Sequence, residues 1–119
     1  MGITIFNRKA GMKIEIVAEG SLTADGSEQI IVEDGPGPAI LSGFINLENL
    51  QAGDSVLVKA YAMVNGTYGL YGQDTYAGAQ PEPVLRINGI AYKDKMKITL
   101  QQTAGTYRGF DYEFVREVS

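Results

Sequence analysis

The chain has 119 residues, 14 acidic against 10 basic side chains for a net charge of −4, and no cysteine, histidine or tryptophan. Without thiols or imidazoles, disulfides, Ser-His-Asp and Cys-His nucleophilic sites and the usual zinc hydrolase sites are excluded, because each needs one of those groups as nucleophile, base or ligand. The acidic balance, in which Arg8-Lys9 is the longest basic run, argues against a surface that binds nucleic acid through counterion release.

Residues 1–11 read as an arm and residues 12–119 as one domain, the length at which a chain closes around a single core. In the arm, Ile3, Ile5 and Phe6 are apolar, yet Asn7 to Gly11 separate them from the first strand, so they need another surface to lie on. The arm lacks the apolar core of a secretory signal, and no run approaches the ~20 apolar residues of a membrane helix. No membrane partner and no encoded export are therefore expected.

From residue 12 onwards polarity mostly alternates, which predicts strands. Met12, Ile14 and Ile16 share one face of the first, over 12–18, with Lys13 and Glu15 on the wet face. Strands follow at 28–33 and 39–46, parted by Asp34-Gly35-Pro36-Gly37-Pro38, where proline removes an amide donor. Asn46 to Gln51 reads as a short helical turn, a connector only. The strand at 55–64 sets Val56, Val58, Ala60 and Ala62 against Leu57, Lys59, Tyr61 and Met63, apolar on both faces and hence central.

Asn65-Gly66 reads as a hairpin turn leading into 68–74. Asn88-Gly89 reads as another turn, after 83–88. Lys93, Lys95 and Lys97 read as the solvated edge of the strand at 96–102. Phe110, Tyr112 and Phe114 alternate with Asp111 and Glu113 in the last strand, 108–116. About eight antiparallel strands at intervals of roughly ten residues predict an all-β, jelly-roll-like sandwich, with a small barrel as the other closure.

Chemistry is sparse. Paired carboxylates are the catalytic set left open, as Glu33 with Asp34 or Asp111 with Glu113, but carboxylates at alternate strand positions are also what any solvated sheet face shows. Asp25, Asp34, Asp54 and Asp74 lie in or beside turns, where aspartate caps backbone amides more often than it binds calcium. No cofactor or metal is expected. Five of the seven tyrosines fall in the middle of the chain, and Tyr68, Tyr71 and Tyr76 are interleaved with glycines that suit close packing against a neighbour.

Four phrases carry a resemblance: Ser21 to Gln29, Leu50 to Asp54, Asp74 to Pro83 and Gln102 to Tyr107. They resemble small all-β proteins encoded among the virion structural genes of tailed phages and related prokaryotic viruses. The resemblance implies a capsid decoration protein, a minor capsid protein or a tail component, located on the particle and carrying no catalytic residues. The expected partners are copies of the chain itself, as in a trimer, and a major capsid or tail protein. Ile3, Ile5 and Phe6 would pack on a neighbour or the shell, and Tyr68, Tyr71 and Tyr76 would line a subunit contact. The other reading is a carbohydrate-binding or adhesive module, with Tyr61, Tyr71 or Tyr76 stacking on a glycan and Asn65, Gln73 or Asp74 bonding its hydroxyls.

Overall fold

The structure is a computed structural model and describes residues 12–119. Among them are β1 (Lys13–Thr23), β2 (Gln29–Asp34), β3 (Ala39–Asn46), β4 (Ser55–Val64), β5 (Thr67–Ala77), β6 (Val84–Tyr92), β7 (Met96–Ala104) and β8 (Gly109–Val118). The arm with Ile3, Ile5 and Phe6 lies outside the described residues.

The pairing is nested: β4 pairs with β5, β3 with β6, β2 with β7 and β1 with β8, all antiparallel. At its centre is the β4–β5 hairpin, whose turn residues Asn65 and Gly66 have φ of 53° and 80°, the positive values a two-residue turn matched to strand twist requires. This long hairpin is folded over so that β8 also pairs with β3 and β7 with β4. Two four-stranded sheets result, β1-β8-β3-β6 and β2-β7-β4-β5, and every connection except that hairpin crosses between them. Such nesting is the jelly roll, closed as a sandwich and not as a barrel.

Strand alternation fills the space between the sheets. Leu41, Ile45, Phe110 and Phe114 face Val32, Val56, Met96, Ile98 and Leu100, all buried. Across the first sheet one inner row reads Ala18, Phe114, Gly43, Ile87, so the largest ring is flanked by the smallest side chains. The connector after β3 forms a turn closed by the Leu50 amide on the Leu47 carbonyl, and both leucines plug one end of the sandwich. The short helical turn expected over Asn46 to Gln51 does not form; the connector is a hydrogen-bonded turn, because the two leucines are held inward by the core and the chain leaves at once for β4.

Three further expectations need correction. Ile14 and Ile16 do not face the core: they are 71% and 66% exposed. β1 continues through Gly20 to Thr23, and the ladder slips between Ile16 and Ala18, so the even-numbered residues that point inward from Ala18 onwards point outward before the bulge. Asn88-Gly89 does not end a strand: β6 runs to Tyr92, and the β3 ladder absorbs the dipeptide as an irregularity between Leu41 and Gly43. Lys97 is not on a sheet edge, because β7 is paired on both sides, and its ammonium lies over the rings of Tyr61 and Tyr68 at 4.9 and 4.7 Å.

Candidate functional site

Tyr68, Tyr71 and Tyr76 all fall on β5, an edge strand of the second sheet, but their settings differ. Tyr68 turns to the outer face, where it donates a 2.7 Å hydrogen bond to Glu33 Oε2, and burial together with that bond raises its phenol well above the ordinary value. Tyr76 packs half-buried against the core. Tyr71 sits where the β4–β5 ladder slips and is 51% exposed, with Leu70 beside it at 49%. The structure therefore brings the three onto one sheet edge without gathering them into one patch.

The outer face of this sheet is a network of hydrogen bonds and charges. Glu28 accepts from Thr99 at 2.6 Å and from Tyr61 at 2.5 Å, and lies 3.8 Å from the Lys59 ammonium. The hydroxyl of Thr99, then that of Tyr61, hold its carboxyl below the usual range. Tyr61, read as a glycan platform, is thus already engaged. Asn65 is at the hairpin tip, whereas Tyr71, Gln73, Asp74 and Tyr76 line a cleft of about 260 Å³ between β5 and β6, together with Arg86.

The four aspartates considered for calcium are dispersed. Asp25 caps the amide of Ser27, Asp34 accepts from Tyr92 beside Arg116, Asp74 lies on β5, and Asp54 is buried. Among the described residues no group of acids is placed to hold a metal ion. Asp54 is a structural clasp that sequence reading missed. Its carboxylate accepts from the Arg108 Nε at 2.7 Å, the Gln51 amide at 2.9 Å and the Thr106 amide at 3.0 Å. Buried Gln102 completes the clasp by bonding the Arg108 amide and the Thr106 carbonyl.

The Arg108 bond, then the two amides, hold the Asp54 carboxyl below its ordinary value. A carboxyl depressed in the folded state stabilises fully above its unfolded value, about 3.9, and that contribution disappears as pH falls through the folded value. We expect Asp54→Asn to unfold at lower urea concentration at pH 7 and to lose less further stability below about pH 4 than the parent. Urea titrations across that range check both.

The first sheet shows a different outer face. On β1 and β8, Ile14 and Ile16 stand beside Glu117 and Val115, and Ile40 lies one strand further on β3. Along the same two strands Glu19 directly opposes Glu113, and Ser21 donates to Asp111. Phe44 follows Glu113 on β3, with Arg86 next on β6. Among the described residues neither Glu19 nor Glu113 forms an ion pair, although like charges directly opposed across strands repel. Asp111 and Glu113, the second carboxylate pair, are exposed on this open face. Its apolar content had a sequence signal: in Ala39-Ile40-Leu41-Ser42-Gly43-Phe44-Ile45 apolar residues occupy both phases of the alternation.

No family model matches the chain, and no curated protein matches it. Solved structures with a similar fold include Bacillus endospore appendages, described as a novel family of disulfide-linked pili, with a TM-score of 0.61 at 19% identity over 88% of this chain and 86% of that one. Infectious bursal disease virus of the Gt strain matches with a TM-score of 0.54 at 9% identity over 90% of this chain and 32% of that one. T=1 particles derived from infectious bursal virus match with a TM-score of 0.52 at 10% identity, over 89% and 30%. At these identities the likeness is one of fold: the chain is an antiparallel jelly roll, covering about a third of each viral chain.

Proposed function

We propose that the chain is a non-enzymatic structural subunit that joins copies of itself, in the first instance as a capsid decoration or minor capsid protein on a virion surface. In this reading Ile3, Ile5 and Phe6 attach to a neighbouring subunit or the shell, and Tyr68, Tyr71 and Tyr76 mark the contact between copies. The observation that carries it is the state of the four sheet edges. β1 is guarded by Lys13, Glu15 and Glu19, β2 is six residues long and ends in Glu33-Asp34, and β6 holds Arg86 and an irregular register. β5 offers eleven residues with one charge, Asp74, and leaves Leu70 and Tyr71 half-exposed. An edge so lightly guarded is a template for another strand, and in an assembly modest contacts are multiplied by repetition.

The shared fold supports the reading in kind, since the similar structures come from a pilus and from viral particles. The pilus is described as disulfide-linked, and this chain has no cysteine, so disulfides would not join its copies. We expect Leu70→Lys with Tyr71→Lys to weaken self-association by roughly tenfold or more while the thermal midpoint moves by no more than about 3 °C, since both side chains are exposed. Sedimentation velocity and electron microscopy check this. Closed rings or trimers favour a particle component, filaments favour a pilus-like one, and a parent chain that stays monomeric at high concentration overturns the proposal.

The carbohydrate reading keeps one observation in its favour, the cleft that gathers Tyr71, Gln73, Asp74 and Tyr76. A glycan array returns hits abolished by Tyr71→Ala under that reading, and none under ours.

A further inference from the structure

We propose that the arm of a second copy, residues 1–11, docks across the outer face of the β1-β8-β3-β6 sheet, seating Ile3, Ile5 and Phe6 at Ile14, Ile16 and Val115 and bringing Arg8-Lys9 to Glu19 and Glu113. The inference rests on the self-assembly reading and specifies one of its contacts. Two features of the face call for an occupant of this composition. Two isoleucines on an edge strand stand more than three-fifths exposed, and the shallow groove beside them, about 340 Å³, is lined by Ile16, Phe44 and Val115 together with Glu19, Glu113 and Arg86. A few residues along the same strands Glu19 and Glu113 confront each other, and among the described residues neither forms an ion pair, although Arg86 lines the same groove. A mainly apolar half, with Glu117 between Ile14 and Ile40, adjoining a half with two opposed glutamates fits a segment that is apolar and then basic. The eleven residues preceding the described chain read in that order: Ile3, Ile5 and Phe6, then Arg8 and Lys9.

Polarity decides which copy supplies the arm. β1 begins at Lys13 beside the apolar half and runs towards the acidic half. A chain's own arm, doubling back from residue 12 over its own sheet, would meet the apolar half with Arg8-Lys9 and carry its apolar residues on to Glu19 and Glu113. That would leave the Glu19 and Glu113 carboxylates unpaired beneath apolar side chains and set two basic groups over Ile14 and Ile16, where Glu117 is the one carboxylate beside them. An incoming arm that runs in the same direction as β1 matches both. At about 3.3 Å per extended residue, eleven residues reach roughly 36 Å, enough to leave one subunit and cross the face of the next.

The test mixes equal amounts of ¹⁴N- and ¹⁵N-labelled full-length protein, joins contacting amines and carboxyls with a zero-length carbodiimide, and sequences the linked peptides by mass spectrometry. Lys9 linked to Glu19 or Glu113 in pairs of mixed label is the expected result. Pairs of a single label only would assign the arm to its own chain, and no Lys9 pair with either glutamate would vacate the face; both overturn the proposal while leaving self-association through β5 standing if the protein still sediments as an oligomer. A monomer with no linked pair overturns this inference and the self-assembly reading together. Charge exchange adds a readout independent of linking: Arg8→Glu with Lys9→Glu weakens association by roughly tenfold, and adding Glu19→Lys with Glu113→Lys restores it to within about threefold. Failure of that restoration counts against the contact.

Discussion

Phe114→Ala should destabilise the domain by roughly 3–5 kcal/mol, the cost of removing a fully buried aromatic ring and leaving a void that rigid neighbours fill only in part. A domain of this size has about 5–15 kcal/mol in total, so the variant approaches the threshold of folding at room temperature. The site is poorly able to collapse. Phe114 sits between Ala18 and Gly43 in its own sheet, and neither has a side chain that could swing into the space. From across the sandwich the void is faced by β4 and β7, both central strands fixed by hydrogen bonds on two sides. Urea denaturation followed by tyrosine fluorescence reads the loss, with an unchanged slope showing that the transition is still of the whole sandwich.

The ease with which this core could be read from the sequence contrasts with the surfaces. Phe110, Tyr112 and Phe114 alternate with Asp111 and Glu113, and that local period fixed both the strand and its inward face. The eight strands were legible for the same reason, and Asn65-Gly66 announced its hairpin because two consecutive positive φ values suit few other dipeptides. The same chemistry misled at Asn88-Gly89, since a residue pair that favours a turn also favours an irregular ladder, and only the partner strand decides between them. A period of two that assumes an unbroken ladder puts Ile14 and Ile16 on the core face, and a one-residue slip near Val17 reverses every side chain before it.

The Asp54 clasp was illegible because its partner Arg108 is 54 residues away, and nothing near Asp54 distinguishes a buried acceptor from an ordinary turn aspartate. For the candidate site, the tyrosines could be placed on one strand, but which of its two sides is an open edge is a property of sheet order. The opposed pair Glu19 and Glu113 likewise comes from strands at the two ends of the domain. Surfaces of assembly are composed by topology, whereas strands are composed by local period.

Gly43→Ala should cost about 3 kcal/mol or more, although in most strands the same change is favourable, since glycine is the poorer strand former. A Cβ at this position would overlap the edge of the Phe114 ring and the Glu113 carbonyl oxygen and lie 2.6 Å from Phe114 Cγ. The ring cannot rotate away without losing its place in the core, and the carbonyl belongs to β8, which is hydrogen-bonded to β1 on its other side. Relief therefore requires β3 and β8 to separate, weakening a ladder that spans Ile40 to Asn46. The two obstacles can be told apart by a double-mutant cycle. Phe114→Leu removes the ring but leaves the carbonyl, so the penalty of Gly43→Ala should fall by about 1 kcal/mol or more in that background without vanishing. Strict additivity of the two changes would mean that the backbone contact alone sets the cost, and that Gly43 is required by strand spacing and not by the ring packed over it.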